Sequence, residues 1–264
     1  MNEKILQDLN KLVSEKANER YILSKLKTLR YEKIGQENLE NLIECLRWKD
    51  VDYNQKKKIK MSDVSMSWYD DQPYETYIEY FNRYLKKDFF DQLKYESLNH
   101  RIIIPNECTI ESIGEIKNTS SIVRLKKESK ETFNDLINLG IPENYSFINM
   151  KLFVSYYHHV HSPVQGKIVR MIPIEGKNNI FGKNTLWILE FQTDKNPVYM
   201  LIVGESAIQD FNFLVKKNMY VDIAQDLGYF AWGSQTIILF DKNDYPGEYI
   251  IKKKNHYFLG QHIV

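Results

Sequence analysis

The spacing of apolar residues changes near residue 95, and this change constrains the fold of the 264-residue chain more than any other feature. Up to about residue 48, apolar residues recur every three or four positions, which predicts three amphipathic helices. After residue 100, short runs rich in β-branched and aromatic residues alternate with turn signals, which predicts strands. The sequence therefore predicts an α+β fold, in which a helical N-terminal region (1–95) packs on a β-rich, sandwich- or barrel-like core (96–264). The predicted strands are 101–104, 109–116, 147–160, 167–174, 185–191, 198–203, 229–232 and 236–240.

Two further helices are predicted outside the N-terminal run. Between Tyr74 and Leu85 the aromatic side chains share one helical face, which is expected to pack on the rest of the protein. These residues are Tyr77, Tyr80, Phe81 and Tyr84. The second helix interrupts the strands, with Ser129 as its N-cap and Gly140 as its C-terminal stop.

The charge balance argues against nucleic acid as a partner, since 36 Lys and Arg stand against 35 Asp and Glu. Two cysteines, Cys45 and Cys108, suit a reducing compartment. The N-terminus lacks the apolar stretch of a signal peptide, and the longest apolar runs are strand-sized. We therefore expect a cytoplasmic protein, at most peripheral to a membrane.

The basic run 56–60 is interpreted as a solvated connection or as a contact for phosphate or a lipid headgroup.

The dipeptide Gly233-Ser234 lies between two apolar runs near the C-terminus. A glycine in that setting is typical of a tight hairpin turn, because it accepts the positive φ that such turns require. A strained Gly-Ser peptide is also able to cut itself and convert the serine into a pyruvoyl group. The dipeptide alone does not separate these two interpretations.

Three of the six histidines fall within the segment Tyr156–Gly166, at the end of a predicted strand. Strand alternation places His159 and His161 on one face, as in a metal-ligand pair. Imidazole is also the side chain best suited to acid-base catalysis near neutral pH. A solvated strand end is the third interpretation, and spacing does not decide among them.

A carboxylate, Glu107, follows the bend that Pro105 introduces before the strand predicted at 109–116. From this position its side chain points either into a site or into water.

Taken in order, these segments resemble the phosphatidylserine decarboxylases, a family of pyruvoyl-dependent carboxy-lyases. The family's P-A-D-G stretch reads Pro105-Asn106-Glu107-Cys108 here, and its Y-H-x-x-H-x-P-x-x-G segment is matched by residues 157–166. Its G-S-T cleavage site reads Gly233-Ser234-Gln235. The aromatic helix resembles the family's F-x-x-F-F-x-R helix. The departures are Glu107 for aspartate, Cys108 for glycine and Gln235 for threonine.

The resemblance implies that the chain is a zymogen that cleaves itself. The Ser234 hydroxyl attacks the Gly233 carbonyl, and the resulting ester is split by loss of the serine α-proton. The dehydroalanine that remains hydrolyses to a pyruvoyl group and ammonia. By the same resemblance, His161 is the base and Glu107 the group that orients it.

For the decarboxylation, the resemblance implies a Schiff base between the pyruvoyl group and the substrate amine, with no metal involved. His158 matches the histidine that returns a proton to the substrate. On a regular strand His158 and His161 point to opposite faces, so we expect the segment to bulge or to leave the strand before Pro163.

The substrate implied is phosphatidylserine or a related amino-acid unit, which would place the enzyme in phospholipid biosynthesis. The alternatives are a free amino-acid decarboxylase of the same family, a non-catalytic relative that binds or scaffolds, and a metal-dependent β-barrel enzyme using His159 and His161. A homodimer is an expectation from the resemblance.

Overall fold

The computed structural model describes residues 66–70, 73–98, 101–116, 122–125, 129–132, 140–142, 145–174, 185–204 and 210–264, and scattered positions between 7 and 46. Residues 39–44 are helical. Most of the three predicted N-terminal helices and the basic run 56–60 lie outside the described residues. The division near residue 95 stays a prediction.

From residue 66 onward, strands dominate the described part of the chain, with a 3-10 helix at Met66–Trp68 and two α-helices, α1 (Tyr77–Phe81) and α2 (Lys87–Ser97). The strands are β1 (Cys108–Glu115), β2 (Ile122–Leu125), β3 (Ser129–Thr132), β4 (Ser146–Lys151), β5 (His159–His161), β6 (Gly166–Ile174), β7 (Leu186–Gln192), β8 (Val198–Gly204), β9 (Phe211–Phe213), β10 (Tyr220–Val221), β11 (Asp226–Phe230), β12 (Gly233–Phe240) and β13 (His256–Tyr257).

Eight of these strands form one antiparallel sheet in the order β10-β6-β7-β8-β12-β4-β1-β13. Strands β5, β11 and β9 form a second sheet, and β2 pairs with β3. The predicted β-rich core is therefore present as an open eight-stranded sheet with a smaller sheet beside it. Among the described residues, no helix is long and apolar enough to cross a membrane.

The centre of the large sheet is buried on both faces. Alternate residues of β12 enter different apolar clusters: Ile238 joins the larger cluster, while Ile237 joins the smaller one. Strand β8 is buried at all of its positions. Antiparallel strands commonly have one wet face, so continuous burial indicates that both faces of this sheet are covered. Described leucines from the N-terminal part join the larger cluster, namely Leu26, Leu39, Leu42 and Leu46.

Most predicted strands are confirmed, and three predictions were wrong in part. Residues 101–104 form no strand, although Ile103 makes an isolated bridge with His262. The run 147–160 is divided into β4 and β5 by an irregular segment. Ser129 begins a strand instead of capping a helix, because Ser129–Thr132 pairs with Ile122–Leu125. The residues between Thr132 and Gly140 lie outside the described part.

The topology brings the ends of several strands together at one end of the large sheet. Strands β1 and β12 both pair antiparallel with β4, so their first residues lie at the same end. Because β4 runs the opposite way, it ends there, and the chain continues from it into the histidine segment. Glu107, Gly233 and the histidines are thereby brought to one end of the sheet.

Candidate active site

Gly233 and Ser234 are the first residues of strand β12 and do not form a hairpin turn. Strand β11 pairs with β5 and β9, whereas β12 pairs with β4 and β8, so the two apolar runs beside the dipeptide belong to different sheets. Gly233 pairs with Gly204 of β8, and the register shifts between Gly233 and Gln235. The irregularity therefore falls on Ser234, and bulges of this kind are frequent beside active sites.

The chain is held in place just before this dipeptide. The carbonyl of Asp210 accepts hydrogen bonds from the backbone N–H groups of Ala231, at 2.8 Å, and of Trp232, at 3.1 Å. A Cβ atom on Gly204 would lie 3.0 Å from the Asp210 Cβ atom. Glycine at position 204 thus lets the Asp210 segment lie close to the start of β12.

The histidine segment leaves the strand geometry where the sequence predicted that it must. Strand β5 contains only His159–His161, and His158 lies before it. Across from it, the register of β11 shifts between Asp226 and Gly228. Arg83 fixes the preceding loop, because its guanidinium donates to the carbonyls of Ser155, at 2.9 Å, and Tyr156, at 3.1 Å.

His158 lies in a stack of aromatic rings that leads to the dipeptide. Its ring stacks on Phe81, with centroids 3.5 Å apart, and Phe81 in turn lies 6.0 Å from the ring of Trp232. Phe230 meets the His158 ring edge-on at 6.4 Å. We call these four residues the aromatic layer. Because Trp232 immediately precedes Gly233, the layer joins His158 to the predicted cleavage site.

A capping box positions the helix that carries Phe81. The Thr76 side chain accepts from the backbone N–H of Glu79, and the Glu79 carboxylate accepts from the N–H of Thr76. This reciprocal arrangement satisfies backbone donors that the helix leaves open. The predicted aromatic face is confirmed for the three residues of this helix that are buried, while Tyr84 is exposed.

Glu107 is buried and accepts three hydrogen bonds. Its Oε1 accepts from His256 Nε2 at 3.0 Å, and its Oε2 accepts from the backbone N–H of Tyr157 at 2.7 Å and the hydroxyl of Tyr69 at 3.3 Å. Together with His161, these residues form what we call the Glu107 network. Three donors on one carboxylate hold its position firmly in the interior.

The direct hydrogen bond expected between His161 and Glu107 is replaced by a path through Tyr157. The His161 Nδ1–H donates to the carbonyl of Ala224 at 2.8 Å, which leaves Nε2 to accept from the Tyr157 hydroxyl at 3.0 Å. Both ring nitrogens of His161 are thus engaged, and Glu107 binds the backbone of the same tyrosine. The carboxylate's direct imidazole partner is His256.

His159 makes contacts of a structural kind. Its Nδ1 lies 2.7 Å from the Asp226 carboxylate and its Nε2 3.2 Å from the carbonyl of Asn82. The rings of His159 and His161 do lie side by side, with centroids 6.5 Å apart. However, all four of their nitrogens are engaged with protein atoms. In the described part of the chain, no group of three or more His, Cys, Asp or Glu side chains is arranged to hold a metal ion.

Burial keeps the two candidate catalytic histidines neutral. It lowers the pKa of His158 well below its usual 6.5, and the charge of Arg83 adds to that effect. Burial also lowers the pKa of His161, partly opposed by the negative charge of Asp226. The His158 Nδ1–H donates to the Tyr156 carbonyl at 2.8 Å, so the lone pair of this neutral ring is on Nε2. Among the described residues, that Nε2 has no hydrogen-bond partner.

The residues that depart from the family pattern also have defined surroundings. Gln235 is buried and donates to the Asn149 side chain at 2.8 Å. Burial raises the pKa of the Cys108 thiol well above its usual range, with the charge of Glu107 adding to it. Asn106, beside Glu107, donates to the Thr236 hydroxyl at 3.1 Å and so links the start of β1 to β12.

Three members of the Glu107 network were not found from the sequence, namely Tyr69, Tyr157 as a side chain, and His256. Strand β13, which carries His256, has two residues and lies outside any recognisable strand pattern. The signal that was available is the family's tyrosine before the first histidine, which Tyr157 matches.

Comparison with known proteins identifies the family of the chain. The sequence model of the phosphatidylserine decarboxylase family matches residues 85–264, which include all three motifs. The chain belongs to the phosphatidylserine decarboxylase family. Among its relatives, the phosphatidylserine decarboxylase proenzyme of Anoxybacillus flavithermus is 28% identical over 185 residues, covering 64% of this chain and 68% of the relative.

Two other family members named phosphatidylserine decarboxylase proenzyme show similar likeness. The protein of Coxiella burnetii is 24% identical over 204 residues, covering 64% of this chain and 71% of its own length. That of a Geobacillus species is 27% identical over 190 residues, covering 64% and 70%. The aromatic layer and the Glu107 network thus lie within a chain that belongs to a family of carboxy-lyases.

Proposed function

We propose that this protein is a pyruvoyl-dependent phosphatidylserine decarboxylase that cleaves itself between Gly233 and Ser234. The observation that carries the proposal is the aromatic layer. In this layer a single ring, that of Phe81, separates the neutral His158 from Trp232, which precedes Gly233. Among the described residues, the Nε2 atom of His158 has no hydrogen-bond partner. Such an arrangement suits proton transfer to a substrate held at the start of β12.

The surroundings fit a pyruvoyl group at position 234. A reactive ketone needs a site that excludes water, and Trp232 and Gln235 on either side of the dipeptide are buried. When present, the group supplies an acceptor for the electrons that are released as CO2 leaves.

In the self-cleavage, Ser234 is the proposed nucleophile and the Gly233 carbonyl its target. A serine hydroxyl needs a base, and His161 keeps that role in our proposal, since its Nε2 is the acceptor nitrogen. The Tyr157 hydroxyl occupies this Nε2 and is therefore the group through which a proton reaches it. Glu107 acts on His161 by holding the backbone of Tyr157, and not by binding the ring.

In the decarboxylation, His158 is the proposed proton carrier. Its Nδ1–H is held by the Tyr156 carbonyl, so proton exchange takes place at Nε2. Because burial favours the neutral ring, the His158 Nε2 is free to accept the proton that the substrate's ammonium group loses, and it then donates this proton to the α-carbon after CO2 has left.

The proposed substrate is a phospholipid serine headgroup, as the names of the relatives suggest. A contact with the membrane surface and assembly as a homodimer belong to the same proposal. A free amino acid is the competing substrate, and it is tested directly by measuring CO2 release from serine beside phosphatidylserine.

The decisive experiment is the intact mass of the purified chain and of its Ser234→Ala variant. We expect the native sequence to yield a long fragment ending at Gly233 and a short fragment that begins with a pyruvoyl group. We expect Ser234→Ala to remain at full length. Reduction with borohydride in the presence of substrate should attach the substrate to the short fragment.

Ser162→Ala is the matched control, because Ser162 is a buried serine whose hydroxyl donates to the Val164 carbonyl. It should be processed like the native chain. A native chain that stays at full length and unmodified, with the same mass pattern as Ser234→Ala, would reject the proposed function.

A further inference from the structure

The turn between β9 and β10 combines exposed apolar and basic side chains. Leu214 and Tyr220, one at each end of this turn, are 53% and 60% exposed. Between them, Lys216 and Lys217 are exposed at the tip. We call the stretch from Leu214 to Tyr220 the basic turn.

The backbone holds the basic turn in a fixed shape. The N–H of Met219 donates to the Lys216 carbonyl at 3.2 Å, which closes the turn. Two further hydrogen bonds join Asn218 and Met219 to Ile168 of β6, at 2.7 and 2.8 Å. The exposed side chains are therefore presented by a rigid support and need little ordering when they meet a partner.

All charged side chains within the basic turn are positive. From Phe211 to Val221 the sequence contains no acidic residue. Exposed Lys167 lies directly across from Tyr220 in the sheet and adds a third positive charge. The first acid along the chain, Asp222, is already paired with Lys94 at 3.0 Å. Three lysines around two apolar side chains form a surface complementary to a negatively charged, partly apolar partner.

The basic turn is joined to the candidate active site through the small sheet. Strand β9, which leads into it, pairs with β11, and β11 pairs with the histidine strand β5. The N–H of Leu214 also donates to the Leu227 carbonyl of β11, at 2.9 Å. A partner bound at this turn is thus one strand away from the strand that carries His161.

We propose that the basic turn docks the protein on a bilayer that contains anionic phospholipid. Leu214 and Tyr220 insert at the headgroup level, while the lysines contact phosphate groups and extend toward the aqueous side. This inference rests on the proposed function, because docking is useful to the enzyme if the substrate is a lipid headgroup. The test of docking does not depend on catalysis.

The test measures binding of the full chain to vesicles of phosphatidylcholine and phosphatidylglycerol, compared with phosphatidylcholine alone. Phosphatidylglycerol supplies negative charge without a serine headgroup. We expect binding to the anionic vesicles that weakens with added salt. The double variant Lys216→Gln with Lys217→Gln should bind these vesicles about 30-fold more weakly. Each lysine near an anionic surface contributes about 5-fold to the affinity, and the two factors multiply.

Two matched controls lie on a different surface. Lys252→Gln with Lys253→Gln removes the same charge from another exposed turn, and Ile250→Ser removes an apolar side chain that is 59% exposed, for comparison with Leu214→Ser. Both controls should bind as the native chain does. Absence of binding by the native chain, or equal weakening by the two lysine pairs, would overturn the proposal.

The two lysine pairs also separate docking from catalysis. The Lys216/Lys217 variant should process itself normally and decarboxylate short-chain, monomeric phosphatidylserine at the native rate, while losing activity on bilayers. A native chain that binds anionic vesicles but never processes itself would reject the proposed function and leave the docking surface standing. Equal activity of variant and native chain on bilayers would count against the docking surface.

Discussion

The Glu107 network and the aromatic layer lie at the same end of the sheet but are built in opposite ways. In the network, each oxygen of Glu107 and each ring nitrogen of His161 has a hydrogen-bond partner. In the aromatic layer, His158 is surrounded by rings and its Nε2 has no such partner within the described residues. The Glu107 carboxylate is fixed in position because polar donors surround it. The His158 Nε2 is left available for proton transfer because aromatic rings, which do not bond to it, surround that histidine.

The largest effect should come from the open nitrogen of the aromatic layer. His158→Phe keeps a ring against Phe81 but removes Nε2, so we expect self-cleavage to continue while CO2 release falls at least about 100-fold. The measurement pairs intact mass with CO2 release from the same sample. His262→Phe, at an exposed position, should leave both unchanged. Native CO2 release by His158→Phe would remove His158 from the proposed chemistry.

The network should respond through stability as well as through processing. Glu107→Ala leaves the buried His256 ring and the Tyr157 N–H without their acceptor, and we expect a loss of about 3–5 kcal/mol in the free energy of unfolding. Urea denaturation measures this loss, and mass spectrometry should show that processing is blocked. Glu107→Asp, which restores the family's residue, is the rescue variant.

A Glu107→Ala chain that is stable and fully processed would show that the network neither holds the fold nor serves the cleavage. Comparison of Glu107→Ala with His256→Ala separates these roles. The His256 variant keeps the Glu107–Tyr157 contact, so it should lose stability but retain more of its processing rate.

The pH dependence of stability should reflect the buried neutral histidines of both regions. Their pKa values in the folded chain are lowered from 6.5, so below that pH the unfolded chain binds protons that the folded chain does not. The free energy of unfolding should therefore fall as the pH drops from about 6.5 to 5, by up to about 1.4 kcal/mol per pH unit for each histidine. Urea titrations at several pH values give the slope. His158→Phe should lower it by removing one contribution, and an unchanged slope would contradict the assignment.

The smallest effect should come from the contact between Tyr157 and His161. Tyr157→Phe removes the hydroxyl that donates to His161 Nε2, which costs about 1 kcal/mol of stability for a typical hydrogen bond. If protons reach His161 through this hydroxyl, processing slows measurably in a time course of fragment formation. Processing at the native rate would show that His161 needs no such intermediary.

Structural features that depend on neighbouring residues were predicted from the sequence better than those that depend on residues far apart in the chain. The strands of the large sheet follow local alternation, so the bounds of β6, β7 and β8 were predicted to within one residue, whereas β12 begins three residues before the predicted 236. A bulge or an exit from the strand before Pro163 was predicted from the need to serve one site with two histidines, and β5 ends at His161. The serine at position 129 fits a helix N-cap, and the sequence was therefore interpreted as a helix. Ser129–Thr132 instead pairs with Ile122–Leu125, and this pairing decides the structure.

The sequence named the candidate site residues in part, since it missed Tyr69, the Tyr157 side chain and His256, and it gave none of their contacts. Glu107 and His256 are 149 positions apart, and no local pattern links them. The same holds for the three donors on Glu107, which come from three separate parts of the chain. Motif resemblance named some of these side chains, whereas the partner of each is decided by strand order, which no local sequence pattern shows.

The place of β12 in the sheet has a consequence for the cleaved protein. Its first two residues flank the proposed cut, yet the strand lies between β8 and β4, and β13 of the same fragment pairs with β1. The short fragment would thus pair with strands of the long fragment both at the centre and at an edge of the sheet. Cutting the chain should not free either piece: the two would migrate as one particle under native conditions and separate only when the whole sheet is denatured.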